Sequence, residues 1–156
     1  MQKKGFTLIE LGVVISAISI LTMSALSYNG YKNVALLSKS LEAIKTVRET
    51  SALLFHKVGA SHSIPDFFWL QQLAENDFIA TNADGDVNIG ADAAITRSFL
   101  FSWGSKTALL IKIVGLEDST IEDVLSTQMS SFLEGAPGIC NAQVAGNPVV
   151  YLCYSL

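Results

Sequence analysis

A single carboxylate stands inside a long apolar run. Between residues 6 and 26, Glu10 is the one ionisable side chain. A carboxylate at membrane depth costs about 3 kcal/mol unless it is neutralised or paired, so the position calls for a cation at the same depth. A backbone cut after Gly5 would create one, the new α-amine of Phe6, one helical turn from Glu10. Within one helix the two groups can meet. Between staggered helices, the amine of one copy can meet Glu10 of the next and set their register. The simpler alternative is a Glu near a helix end that snorkels to the membrane surface.

The other residues with chemical potential are fewer. Cys140 and Cys153 lie close together near the C-terminus; outside the cytoplasm they read as a disulfide, and inside it as two buried thiols. Asn82, Asp84, Asp86, Asn88 and Asp92 place oxygen donors at alternate positions, as a calcium loop does. Val87 stands where such a loop needs Gly, and Ala93 where it needs a bidentate Glu, so a polar turn fits better. The two histidines, His56 and His62, come with no nucleophile elbow, phosphate loop or metal-ligand spacing. Trp69 and Trp103 read either as core aromatics or as a binding surface. No enzyme chemistry and no cofactor are expected.

The elements that hold these residues begin with the apolar run itself. Its roughly 21 residues span a bilayer core of ~30 Å as a helix. Lys3 and Lys4 precede it, which keeps the first residues cytoplasmic and sends the rest outward. A secretory signal has a shorter apolar core with its small residue after it; here Gly5 comes first, so cleavage leaves the apolar helix attached. Beyond it, Val34, Leu37, Leu41, Ile44, Val47, Ser51, Leu54 and Val58 recur in steps of three and four, one apolar stripe on a continuing helix. Lys32, Lys39, Glu42, Lys45, Glu49 and His56 fall on the other faces. One helix over 6–57 is predicted, on the order of 80 Å long, with Gly59 and Ala60 at its end.

The remainder is expected to cover that stripe. Ser63 and Pro65-Asp66 signal a short helix through Phe67, Phe68, Trp69, Leu70 and Leu73. Residues 82–86 mark a turn, and 97–103, 107–114 and 149–154 read as strands, with Gly104-Ser105 as a hairpin turn. Ser119-Thr120-Ile121-Glu122 has the form of a capping box for a helix to about Leu133, with Gly135 beyond it. The fold class is α+β: a long N-terminal helix, transmembrane in its first half and amphipathic in its second, on a small antiparallel sheet. The domains are 1–5 as leader, 6–58 as stalk helix with its membrane segment at 6–26, and 59–156 as head. Half of the residues are hydrophobic and 15% charged, with a net charge of −4. Removing Lys3 and Lys4 leaves 8 basic against 14 acidic residues, or −6. So acidic a chain is not expected to be a general nucleic-acid binder.

Gly5-Phe6-Thr7-Leu8-Ile9-Glu10-Leu11, behind a short basic leader, resembles the processing site of type IV prepilins and pseudopilins. The resemblance covers roughly the first 30 residues. It implies that a membrane prepilin peptidase cuts after Gly5 and methylates Phe6, and that Glu10 is the assembly carboxylate. Many members carry a Gly within the run and a Pro near its end; here Ser19 and Ser27 occupy those neighbourhoods, leaving Gly30 beside Asn29 as the weak point. The implied partners are further copies joined through their N-terminal helices, the peptidase and the inner-membrane pilus assembly machinery. The implied location is the bacterial inner membrane and then an extracellular fimbrium, serving adhesion, motility or DNA-related traffic. The short leader and Phe6 are similar to the type IVa branch, and the late cysteines to type IVb. A type II secretion pseudopilin, a minor pilin and a monomeric membrane-anchored binding module are the alternatives; a bridged Cys140–Cys153 pair weighs against the pseudopilin.

Overall fold

The computed structural model describes residues 8–58, 69–90, 92–144 and 148–156. Gly5, Phe6, His62, the expected helix end at Gly59-Ala60 and the start signal at Ser63 and Pro65 lie outside them. The chain forms two compact units, Met1–Ala35 and Leu36–Leu156. Helix α1, Leu8–Val58, runs through both, and helix α2 is Trp69–Glu75. Gly30, the expected weak point, is helical like its neighbours.

In the second unit the periodic stripe is buried as expected. Ser40, Ile44, Val47, Ser51 and Leu54 are inaccessible, Leu37 and Leu41 half-buried, and Lys39, Glu42, Lys45, Glu49 and His56 exposed. Each fully buried aliphatic here contributes about 1.5–3 kcal/mol. Val34 departs from the expectation: it falls in the first unit and is 66% exposed, so the buried stripe begins only at Leu36 and Leu37. The two hydroxyls buried within the stripe are satisfied. Ser40 donates to the Leu36 carbonyl at 2.7 Å, and Ser51 Oγ accepts the Trp69 indole N–H at 2.9 Å. Trp69 thus belongs to the core, not to a binding surface.

Five antiparallel strands form one sheet: β1 (Val87–Asn88), β2 (Ala94–Trp103), β3 (Lys106–Val114), β4 (Ala142–Gln143) and β5 (Val149–Ser155), in the order β1-β2-β3-β5-β4. The three expected strands are present and slightly longer; β1 and β4 were not anticipated. Trp103 pairs with Lys106 across Gly104-Ser105, and Gly104 adopts φ +61, as a two-residue hairpin turn demands. Helix α3 is Asp118–Gln128, followed by a 3-10 turn at Met129–Ser131. The capping box does not form: Glu117 is the N-cap, no side chain caps it, and Ser119 is already inside the helix. Asp118 instead accepts a hydrogen bond from the Gln143 amide, which fixes the helix start earlier.

Both faces of the sheet are covered. Leu109, Ile111, Ile113, Val150, Leu152 and Tyr154 share the core of α1 and α3, whereas Ala108, Leu110 and Cys153 pack with Leu133 and Cys140 on the other side. The helix expected to reach Leu133 stops early because Leu133 is taken into that second layer, where its N–H donates to the Cys153 carbonyl at 2.9 Å. Cys140 and Cys153 are disulfide-bonded, with Cα atoms 5.4 Å apart. Asn141 Oδ1 accepts the Cys153 N–H at 3.0 Å. The bridge closes a separation of 13 residues, and a loop of that size stabilises by about 3 kcal/mol through the unfolded chain. Reduction of the detergent-solubilised full chain is expected to lower its unfolding free energy by about that amount. Equal denaturant midpoints with and without reductant would contradict it.

Candidate functional site

The described part of the first unit is helix, and its residues 9–28 and 30–35 are exposed. Exposure of the large apolar side chains between Ile9 and Leu26 ranges from 46% at Val14 to 79% at Ile9. An 18-residue window has a mean hydropathy of 2.0 with none of it buried, so this helix is long and apolar enough to cross a membrane. An unburied surface of this kind needs lipid or other protein to cover it.

The backbone and side-chain polar groups of this stretch are arranged for an apolar solvent. Ser16 donates to the Gly12 carbonyl, Ser19 to Ile15, Thr22 to Ile18, Ser24 to Ile20 and Ser27 to Met23, all at 2.8–3.0 Å. Thr22 also reaches the Ser19 carbonyl at 2.9 Å. Each of these hydroxyls is therefore spent inside the helix, four residues back, as an apolar surrounding would require. Glu10 is exposed on the first described turn of α1. At the far end Tyr28 and Tyr31 are 69% and 77% exposed, with Lys32 beside them. Tyrosine and lysine are the residue types found at membrane–water boundaries, and the sequence pattern offered this signal as well. The sequence reading passed over Gly12, which lies within the apolar run.

Elsewhere the candidate chemistry dissolves into structure. Asn82 Oδ1 accepts the Asp84 and Asp86 N–H groups at 2.9 Å each, so it closes a turn. Burial, and then the neighbouring Asp84, push the Asp86 carboxyl up from its usual value. Asn88 lies in β1. Among the described residues no three His, Cys, Asp or Glu side chains converge for a metal. A groove of about 640 Å³ between α1 and the Phe78–Ala80 and Val87–Gly90 segments offers only Lys39 and Glu42 as charged groups. Tyr154 is buried under the Arg48 guanidinium, 5.3 Å from its ring; burial pushes its phenol up and Arg48 opposes that. His56 is exposed. Trp103, 39% exposed, sits at the hairpin tip.

The features that converge are thus the exposed apolar helix, its self-satisfied hydroxyls, its aromatic and basic end, and Glu10. Compared with protein-family models, with curated proteins and with solved structures, the chain finds no match.

Proposed function

We propose that the chain is a structural subunit of a type IV pilus-like filament, cut after Gly5 and polymerised through its N-terminal helix. One observation carries the reading: among the described residues, an apolar helix with an exposed surface holds a single carboxylate near its start. A plain membrane anchor needs the apolar surface but not the carboxylate. A helix that exchanges lipid for neighbouring helices has a use for both, because Glu10 can pair with the Phe6 amine of an adjacent copy and set the register. The α+β second unit, with its disulfide-closed layer, is compatible with a pilin head. The protein acts outside the cytoplasm on this reading, where the Cys140–Cys153 bridge persists. It is no enzyme; its work is assembly, with the prepilin peptidase and inner-membrane machinery as partners.

Before assembly, the helix rests in the inner membrane with its hydroxyls satisfied internally. In the filament the same surface packs against other copies, and the amine–carboxylate contact sets their stagger. A monomeric membrane-anchored binding module is favoured only by the half-exposed Trp103. Intact mass and N-terminal analysis of the protein from cells containing a prepilin peptidase separate the readings. The expected product begins at N-methylated Phe6 and is two hydrogens lighter than the reduced chain. Retention of residues 1–5 would leave the anchored module as the better reading.

A further inference from the structure

We propose that two charged patches of the second unit, the Arg97–Lys112 row and the Glu122–Asp123 face of α3, are the two halves of one contact between successive copies of this chain. The inference rests on the filament reading above and adds the contact made outside the helix. The first patch follows from strand register. Arg97 lies directly opposite Lys112, and Lys112 directly opposite Tyr151, one row across β2, β3 and β5. Lys112 alternates with Ile111 and Ile113, so the row belongs to the face that carries Leu110, Cys153 and the disulfide. Arg97 is exposed, and Lys112 and Tyr151 are half-buried.

Like charges directly opposite on antiparallel strands repel. Among the described residues neither Arg97 nor Lys112 has an ion-pair partner. Glu134, on the loop that covers this face, is exposed and unpaired as well. The row is rich in donors, since Arg and Lys accept no hydrogen bonds, and it stands on a chain that is acidic overall.

The second patch is its complement. Glu122 and Asp123 are exposed on α3 and form no ion pair among the described residues, while Asp118 one turn earlier is held by Gln143. Helix α3 buries Ile121 and Val124 in the core on the opposite side of the sheet, and Gln143 ties its start to β4, the last strand. Basic row and acidic helix therefore sit on opposite faces of the sheet. The sheet itself lies between them, so neither patch neutralises the other within one chain. Complementary patches on different sides of a molecule make a heterologous contact, which repeats without closing on itself after two copies. Charges at such a contact chiefly select partner and register.

Light- and heavy-isotope full-length protein, mixed in vesicles and treated with a zero-length carbodiimide, tests the contact. Lys112 is expected to couple to Glu122 or Asp123 in light–heavy pairs, and Glu122→Gln with Asp123→Gln to remove those pairs. In cells that assemble filaments, R97E with K112E, and E122K with D123K, are each expected to lower sheared yield about tenfold, and all four together to restore it within about threefold. R97Q with K112Q, milder on folding, is expected to fall between. Absence of light–heavy coupling at these residues, unchanged yields, or failure of the combined variant to recover would overturn the proposal. Coupling without filaments in the unmodified protein keeps the contact and discards the filament reading, so the two fail separately.

Discussion

Gly115→Ala is expected to destabilise the second unit by about 4 kcal/mol or more, while Gly104→Ala costs about 1 kcal/mol. Both glycines have positive φ, +78 and +61, so both substitutions bear the backbone penalty for an L side chain. They differ in what surrounds them. A Cβ on Gly104 meets nothing within 4 Å, whereas on Gly115 it lies 1.6 Å from the Asp92 carbonyl oxygen and 3.1 Å from the Ala93 Cα. Backbone makes that contact, and it cannot swing aside as a side chain can. The approach has a cause: the Ile89 and Gly90 N–H groups both donate to the Ala93 carbonyl, turning the chain tightly between β1 and β2. Gly115 closes the other end of the same corner, donating to the Pro148 carbonyl at 2.9 Å as β3 leaves the sheet. A domain of this size has about 5–15 kcal/mol in hand, so the variant should accumulate poorly and unfold at much lower denaturant. Equal losses in the two variants, measured by denaturation of the detergent-solubilised chain, would mean that only φ matters at Gly115.

Local patterns were legible in the sequence, and non-local ones were not. The steps from Leu37 to Leu54 foretold which face of α1 is buried, because a helix carries its period in its own residues. The strands β2, β3 and β5 showed themselves by apolar and β-branched runs, and Gly104 by its turn chemistry. Strands β1 and β4 have two residues each, and only their partners define them. Ser119 and Glu122 had the spacing of a cap, but a contact from Gln143, distant in sequence, chose Glu117 instead. The second covered face was also missed, although β3 advertised it: four successive residues, Ala108 to Ile111, are buried, and such an unbroken apolar run is what a strand covered on both sides requires. At the candidate site, the apolar length and Glu10 could be read directly. The hydroxyl-to-carbonyl bonds from Ser16 to Ser27 needed helical coordinates, although the four-residue spacing of Gly12 and Ser16 hinted at them.

Glu10→Ala is expected to insert in the membrane and to be cut after Gly5, yet to yield about thirtyfold less sheared filament, or lower still. Insertion should not suffer, because removing a carboxylate from an apolar run lowers the cost of placing it in hydrocarbon. Cleavage should not suffer if the peptidase reads Gly5 and Phe6, which keep their places. On the proposed filament reading assembly differs, because the incoming Phe6 amine then meets no anion. Removing one partner of a desolvated charge pair costs about 2–5 kcal/mol, most of it from the charge left behind, and 2 kcal/mol is already a factor of about 30 in association. Glu10→Gln separates charge from shape: it preserves size and hydrogen bonding, and should assemble as poorly as the alanine variant. Alanine alone failing would point to packing of the side chain in place of ion pairing. Full yield from both would return Glu10 to a snorkelling role at the helix start, and the assembly register would then have to come from the apolar surface between Ile9 and Leu26.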